Sequence, residues 1–531
     1  MSRLTAPRRF RRAWRGGAVL ALSGALLTSG ALAGCASESS KWQPPQWPES
    51  GGVTLVKAEV EQPEQVGVDA GLEKLEFIEG RIRNDGLPMQ ARYVQIPGAP
   101  AFNDLVTGVI GDAIANTGAD YAPQAFPVGS GLGDRGCVPG SLSWDAAKVL
   151  SNPATGPVGG SGTAITCEPI AAFGSVVGVE MRTVTGSGKG VESDYTTIVY
   201  ADLESGEAFT GAEMWNDGVP EKLWLGAVDT LRRDAGGLSG IATEAPSKKQ
   251  RALAESALQT PVLHENGSAT VILPAGIEAV ELADIGIERT EEPMAVEIDA
   301  ATVEAWENKR AKALLKQRDK KFVGMPAWNA NNPVDCSIVP CVAVTYDDGP
   351  SDLTPKLLDT LRSERTPATF YMLGNSATLY PDIVKRASDE GHELASHTMS
   401  HPELTTLSPA AARAQVHDAG KILSDLSGQK VASYRPPYGA LNDKVFAEIG
   451  WPAILWSIDT NDWRKPGREA LVQRSSGAAS PGDIILFHDI HADSVEVAGT
   501  VMQQLKDRGL TPVTVEQLFG GNIPNERVTR R

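Results

Sequence analysis

The sequence predicts an α/β protein whose C-terminal part is a distorted (β/α) barrel of about seven parallel strands, preceded by a separate α+β domain. The length of 531 residues is too great for one core, so at least two domains are expected. From residue 342 onward, apolar β-type runs alternate with helical stretches, which is typical of βαβ units around a parallel sheet. Acidic and histidine side chains recur where those runs end.

Residues 1–34 are predicted to be a signal peptide. Arginines precede the first acidic residue, Glu38, and a short apolar run over 18–32 follows them, as in export signals. The run is shorter than the ~20 apolar residues that a spanning helix needs. Leu32-Ala33-Gly34-Cys35 resembles a bacterial lipobox, so Cys35 is expected to carry a lipid anchor at the extracytoplasmic face of the cell membrane. An ordinary secretory signal is the alternative, and Sec and Tat export both stay open.

Residues 35–333 are predicted to lead from the anchor to the barrel. The polar, proline-containing stretch 35–63 is expected to be a tether. Residues 64–300 mix strand-like and helical runs without a chemical constellation, which suggests an α+β accessory domain for binding or sensing, or a spacer. Residues 301–333 are expected to form a linker helix and loop.

Four cysteines remain beyond Cys35, an even number for an exported protein. Three pairings exist, and local pairing is expected: Cys137 with Cys167 and Cys336 with Cys341. The longer loop stabilises the fold by roughly 3–4 kcal/mol in the chain-entropy model. A zinc site made of all four is the alternative, but no Cys-x-x-Cys spacing supports it.

The barrel is predicted over residues 334–531, where seven apolar runs are separated by helical stretches. The strand-like runs are 342–346, 368–373, 392–396, 431–434, 453–458, 483–487 and 512–515. In such barrels the active site lies where strands end and loops begin.

The composition excludes several classes of partner. A net charge of −17 disfavours nucleic acid and anionic lipid surfaces, so membrane contact is expected through the lipid anchor only. No glycine-rich phosphate-binding motif follows a strand, so no nucleotide is expected.

Polar side chains at the predicted strand ends suggest a metal-dependent site. Asp347 and Asp348 follow the first strand, and His397 and His401 follow the third at a spacing that would place them on one helical turn. Two imidazoles and a carboxylate bind a divalent metal and leave positions open for water and substrate. The same donor set describes non-haem iron oxygenases, which typically use a β-sandwich rather than a barrel.

Five ordered motifs resemble those of the polysaccharide deacetylases with a NodB-type domain, carbohydrate esterase family 4. The resemblance covers roughly residues 334–520, and Tyr346 replaces the usual phenylalanine. The motifs are Thr345-Tyr346-Asp347-Asp348-Gly349-Pro350, His397-Thr398-Met399-Ser400-His401-Pro402, Arg435-Pro436-Pro437-Tyr438-Gly439, Asp459-Thr460-Asn461-Asp462-Trp463 and Leu486-Phe487-His488-Asp489.

The resemblance implies a role for each site residue. Asp348, His397 and His401 would hold the metal, most simply Zn²⁺, with Co²⁺, Mn²⁺ or Ni²⁺ as alternatives. The remaining roles are Asp347 as general base, Arg435 orienting it, His488 as general acid, Asp462 raising the pKa of His488, the Tyr438 backbone N–H at the oxyanion, and Trp463 and Leu486 as walls of the acetyl pocket.

The resulting expectation is a metal-dependent hydrolase that removes N-acetyl groups from a cell-wall glycan, most simply N-acetylglucosamine or N-acetylmuramic acid of peptidoglycan. A chitin-like N-acetyl or xylan-like O-acetyl substrate would use the same residues. A glycan-binding lipoprotein with a non-catalytic barrel is the alternative from another class.

Overall fold

A computed structural model describes residues 52–55, 69–236, 243–264 and 266–531, which belong to one compact unit spanning Ser50–Arg531. The predicted signal peptide, Cys35 and most of the tether lie outside the described residues. Among the helices that are described, none combines the length and the apolar character needed to cross a bilayer.

The part before the barrel contains ten strands and eight α-helices among its described residues. The strands are β1 Val53–Leu55, β2 Ile78–Asn84, β3 Met89–Gln95, β4 Gly162–Phe173, β5 Val176–Ser187, β6 Gly190–Asp202, β7 Glu207–Thr210, β8 Val262–Leu263, β9 Ala269–Leu273 and β10 Met294–Ile298. The helices are α1 Asp69–Leu72, α2 Pro100–Asn116, α3 Ala146–Ser151, α4 Val219–Asp234, α5 Lys248–Ala257, α6 Val280–Ala283, α7 Ala300–Trp306 and α8 Lys309–Leu315.

These strands form two sheets. The larger has the order β2-β3-β4-β5-β6-β7, antiparallel except where β3 pairs with β4. The predicted disulfide between Cys137 and Cys167 is present and attaches the long loop after α2 to strand β4. The smaller antiparallel sheet has the order β1-β10-β9-β8. The first and last strands of the part before the barrel, β1 and β10, therefore lie side by side in this sheet.

The stretch expected to be one linker helix forms two, α7 and α8, and both contribute to a core. Val303, Trp306 and Leu314 are buried in the apolar cluster of the smaller sheet. Because these apolar side chains recur at helical spacing, the stretch packs as part of the accessory region.

The barrel part contains eight strands and eight α-helices. The strands are β11 Cys341–Asp347, β12 Thr369–Met372, β13 Glu393–Ser396, β14 Ala453–Ile454, β15 Ile458–Asp459, β16 Ile484–His488, β17 Thr511–Val513 and β18 Arg527–Val528. The helices are α9 Thr354–Ser363, α10 Gly374–Leu379, α11 Pro381–Asp389, α12 Pro409–Ser427, α13 Asp443–Ile449, α14 Arg468–Arg474, α15 Ala492–Asp507 and α16 Val515–Leu518.

The strands pair in parallel in the order β13-β12-β11-β16-β15, with β17 beside the first residues of β11. Single parallel bridges from Ser396 to Tyr434 and from Tyr434 to Ala453 continue the ring toward β14. The predicted parallel barrel is confirmed. Its fourth run contributes only Tyr434, and the pairing cannot continue past Arg435 because Pro436 and Pro437 lack the N–H of a ladder hydrogen bond.

The fifth predicted run is interrupted between β14 and β15. The buried guanidinium of Arg435 donates to the backbone carbonyls of Ile454 and Leu455 at 3.0 Å each. Ile454 ends β14 and Leu455 begins the gap, so the carbonyls at the interruption accept hydrogen bonds from a buried side chain. These bonds help to hold the arginine inside the barrel.

The accessory region packs against the end of the barrel where β11 begins. One apolar cluster runs from Ile82 and Phe102 of the accessory region to Val339 and Cys341. The Tyr121 hydroxyl donates to the Ile338 carbonyl at 2.6 Å. The second predicted disulfide, Cys336 to Cys341, is present at this junction.

Candidate active site

Asp347 ends strand β11 inside the barrel and is paired with a buried arginine. Its side chain is almost fully buried, and Nη1 of Arg435 lies 2.8 Å from its Oδ1. The same nitrogen donates to the Thr345 hydroxyl at 2.7 Å, and the guanidinium carbon lies 4.0 Å from the ring centroid of Tyr371. Arg435 is thereby fixed from three sides and holds Asp347 in one orientation.

Burial and charge act in opposite directions on the Asp347 carboxyl. Burial raises its pKa above the ordinary value, while the positive charges of Arg435 and His488 limit that rise. A carboxylate with a raised pKa is a better proton acceptor, which suits the predicted general base.

Asp348, His397 and His401 form a compact set of metal-binding atoms. Nε2 of His397 and Nε2 of His401 each lie 3.4 Å from Oδ1 of Asp348. A tetrahedral site with metal–ligand distances of about 2.1 Å has edges of about 3.4 Å, so the spacing fits a divalent ion. Oδ1 of Asp348 is also buried without a hydrogen-bond partner, as an atom reserved for an ion would be.

The histidines of this set are oriented by their outer nitrogens. Nδ1 of His397 lies 2.8 Å from the carbonyl oxygen of Arg435, which can only accept, so this nitrogen carries the proton and Nε2 is free to bind a cation. Burial lowers the pKa of His397 to about 3, which keeps the ring neutral. Nδ1 of His401 lies 3.2 Å from the Tyr438 hydroxyl.

The prediction that His397 and His401 share a helical turn is wrong. They lie on an irregular loop after β13, where Thr398 and His401 have φ of 73° and 61°. Asp348 and Tyr438 also have positive φ, 72° and 61°. Non-glycine residues rarely adopt this conformation, and its concentration at one site indicates that the loops are shaped for a function.

His488 and Asp462 form a second charged pair at the end of β16. Nδ1 of His488 lies 2.7 Å from Oδ1 of Asp462, and the Ser494 hydroxyl donates to Oδ2 at 2.6 Å. Burial acts to lower the pKa of His488, but the hydrogen bond to Asp462 and the nearby carboxylates outweigh it and raise the pKa to about 9. His488 is therefore protonated at neutral pH.

Aromatic side chains surround the opening. Trp463 is 51% exposed and Tyr438 is 70% exposed, so neither is a core residue. The guanidinium of Arg464 lies 4.4 Å from the centroid of the Trp463 ring. Leu486 is buried on β16 between Ile485 and Phe487. The roles of the Tyr438 backbone N–H, Trp463 and Leu486 remain predictions.

Sequence reasoning missed several supporting residues. Thr345 and Ser494 hold Arg435 and Asp462, but an isolated hydroxyl residue gives no signal of such a role. Asp489, fully buried, lies so close to Gly349 that a Cβ there would be 2.3 Å from its carboxylate. Its place directly after His488 was the available signal.

The matches to known proteins fall on the barrel part of the chain. The family model described as polysaccharide deacetylase matches residues 336–450. A peptidoglycan-N-acetylglucosamine deacetylase of Bacillus cereus is 36% identical over 186 residues, which is 34% of this chain and 68% of that protein. The chain belongs to the polysaccharide deacetylase family.

Longer relatives match over a smaller share of their length. The peptidoglycan-N-acetylglucosamine deacetylase PgdA of Listeria monocytogenes is 39% identical over 183 residues, 34% of this chain and 39% of that protein. The chain thus spans about two fifths of that relative. The solved structure of the peptidoglycan deacetylase PdaC from Bacillus subtilis is 36% identical, with a TM-score of 0.34, and covers 35% of this chain and 92% of that chain.

Proposed function

We propose that this protein is a metal-dependent hydrolase that removes N-acetyl groups from peptidoglycan at N-acetylglucosamine or N-acetylmuramic acid. The observation that carries the proposal is the pairing of Asp347 with His488 in register on neighbouring strands β11 and β16. A buried carboxylate and a protonated imidazole thus face one opening, as base and acid of an amide hydrolysis do.

Asp348, His397 and His401 would hold the divalent cation, for which Zn²⁺ is the first choice. When bound, the cation supplies a Lewis acid that polarises the amide carbonyl and lowers the pKa of water. Oδ2 of Asp347 lies 3.8 Å from Nε2 of His397, so the base lies beside the metal-binding set.

Asp347 starts the reaction as the general base. Its carboxylate takes a proton from a water molecule, whose oxygen then bonds to the carbonyl carbon of the acetamide. Arg435 keeps the carboxylate oriented through the 2.8 Å pair. The Tyr438 backbone N–H would donate to the developing oxyanion.

His488 completes the reaction as the general acid. The imidazolium gives a proton to the amide nitrogen while the carbon–nitrogen bond breaks, which leaves acetate and a free amine on the sugar. Asp462 holds the ring by the bond to Nδ1, so the Nε2 proton is the one available to the leaving amine.

The choice of a cell-wall substrate is supported by the relatives from Listeria monocytogenes and Bacillus cereus, which are named as peptidoglycan-N-acetylglucosamine deacetylases, and by the proposed lipid anchor at Cys35. An enzyme held at the extracytoplasmic face of the membrane meets the wall. The exposed rings of Tyr438 and Trp463 offer flat apolar surfaces against which sugar rings can pack.

The test is acetate release by the zinc-loaded protein from peptidoglycan, chitin oligomers and acetylated xylan. Peptidoglycan is expected to be the best substrate, and Asp347→Asn is expected to lower kcat about 10²–10⁴-fold while metal content stays unchanged. Asp418→Asn, on the exposed side of α12, is the matched control. Undiminished acetate release by Asp347→Asn would contradict the assigned base, and preference for xylan would contradict the substrate.

A further inference from the structure

A second group of potential metal ligands lies beside the first. Asp462, His488 and His491 each direct one ligand atom to within 4.8 Å of the others. His488 is the last residue of β16, His491 follows that strand and Asp462 follows β15, and none of them belongs to the first set. Asp347 and His488 pair in register at the ends of β11 and β16, so both groups lie at the same end of the barrel.

The chemistry of this group resembles that of the first: two imidazoles and one carboxylate. Such donors bind Zn²⁺, Co²⁺, Ni²⁺ and Cu²⁺ in preference to Mg²⁺ or Ca²⁺. Asp462 is almost fully buried, while His488 and His491 are partly exposed, so water can reach the remaining coordination positions.

The carboxylate of the second group is already engaged in hydrogen bonds, so this group is expected to bind a cation more weakly than the first. Oδ1 of Asp462 accepts from Nδ1 of His488, and Oδ2 accepts from the Ser494 hydroxyl and from the backbone N–H of His488. A cation bound here must displace the proton shared by His488 and Asp462. By contrast, Oδ1 of Asp348 has no hydrogen-bond partner, so the first set fills first.

We propose that Asp462, His488 and His491 form a second, weaker divalent-cation site that inactivates the enzyme when occupied. Binding releases the proton of His488 and fixes its ring to the cation, so the general acid is lost. The inhibition rests on the proposed function, whereas the binding site does not. Activity is therefore expected to rise with the first equivalent of zinc and to fall when zinc is in excess.

Cobalt binding tests the site without reference to activity. The full chain is titrated with Co²⁺ and followed by equilibrium dialysis and visible absorption. Wild type is expected to bind two ions in two phases, His491→Ala only the tighter one, and His401→Ala only the weaker one. His264→Ala, in the accessory region, is the control and is expected to bind two.

Two results would overturn the proposal. One is a wild-type chain that binds a single ion, and the other is a His491→Ala chain that keeps the second phase. In acetate-release assays, the rate of His491→Ala is expected to stay at that variant's own maximum when zinc is in excess. A rate that still falls at excess zinc would contradict the inhibitory role. If two ions bind but wild type releases no acetate from any glycan, the proposed function fails while the site stands.

Discussion

At Asp347 a buried charge pair with Arg435 orients the base and lowers its proton affinity. Burial raises the pKa of the carboxyl, and the charge of Arg435, 2.8 Å away, opposes that rise. The arginine is itself fully buried and makes bonds to Thr345, Ile454 and Leu455, so it cannot turn away. The activity of the base therefore depends on a residue that does not meet the substrate.

Replacing Arg435 by glutamine is expected to raise the pKa of Asp347 further, because the opposing charge is lost while burial stays. The base must be ionised, so the acidic limb of the kcat/KM profile is expected to move to higher pH. Acetate release measured from about pH 4 to 10, roughly the range over which carboxyl and imidazole groups titrate, checks this. Circular dichroism is the control for folding. An unmoved acidic limb in a folded variant would exclude Arg435 as the group that tunes the base.

Replacing Asp462 by asparagine is expected to move the alkaline limb of the kcat/KM profile against pH. The carboxylate helps to raise the pKa of His488 to about 9, and the acid must be protonated to work, so activity falls as pH rises through that value. Without the negative charge the pKa of His488 falls, and the alkaline limb moves to lower pH. The same pH series measures it. A shift to higher pH, or none, would show that Asp462 does not govern the acid.

The site residues could be predicted because each carries chemistry that is rare in a core and each lies at a strand end. Asp347, Asp348, His397, His401 and His488 all follow apolar runs in the sequence. The helical turn expected for the two metal-binding histidines was wrong, because spacing alone does not reveal the left-handed φ of Thr398 and His401. Ser494 could not be found, since its partner Asp462 is distant in sequence.

At the scale of elements, the strands around Arg435 explain where the predicted barrel and the observed one differ. The predictions for β11, β12, β13 and β16 agree with the structure to within a few residues. The run at 431–434 yields two isolated bridges, both at Tyr434, and the run at 453–458 yields two short strands. Apolar runs predict strands, but they do not show which backbone carbonyls will accept hydrogen bonds from a buried arginine.

Thr345, within β11, connects the strand ladder to the buried arginine. Its hydroxyl donates to the Ile485 carbonyl at 2.7 Å and accepts from Arg435. Thr345→Val keeps the shape but leaves those polar atoms with one partner fewer, which is expected to lower the free energy of unfolding by about 1–3 kcal/mol. Urea denaturation measures it, with Thr360→Val on α9 as the control. Equal stability of the two variants would show that the Thr345 bonds are energetically neutral.

At the scale of the whole molecule, the accessory region and the barrel share one apolar cluster. Two hydrogen bonds join them as well: the backbone N–H of Phe126 donates to the Arg508 carbonyl at 2.7 Å, and the side-chain Nε of Arg508 donates to the Phe126 carbonyl at 3.0 Å. The composition of residues 64–300 predicted a domain but could not predict this contact, because both surfaces are apolar and carry no chemical signature.

A fragment of residues 334–531 is therefore expected to be less stable than the full chain. Removing the accessory region exposes Val339 and Cys341 to water and leaves the Ile338 carbonyl without Tyr121. Calorimetry is expected to show one cooperative transition for the full chain and a lower Tm for the fragment. A fragment with the Tm of the full chain would show that the shared cluster adds no stability to the barrel.

The position of this contact also bears on how the protein can meet a polymer. The accessory region lies at the beginning of β11 and the catalytic residues at its end, and the seven residues of that strand span about 20 Å. A sugar unit in the opening therefore lies beyond the reach of the contact face of the accessory region. If the accessory region also binds glycan, it binds another glycan chain of the cell wall or a distant part of the same chain. The two binding sites would then link separate parts of the wall.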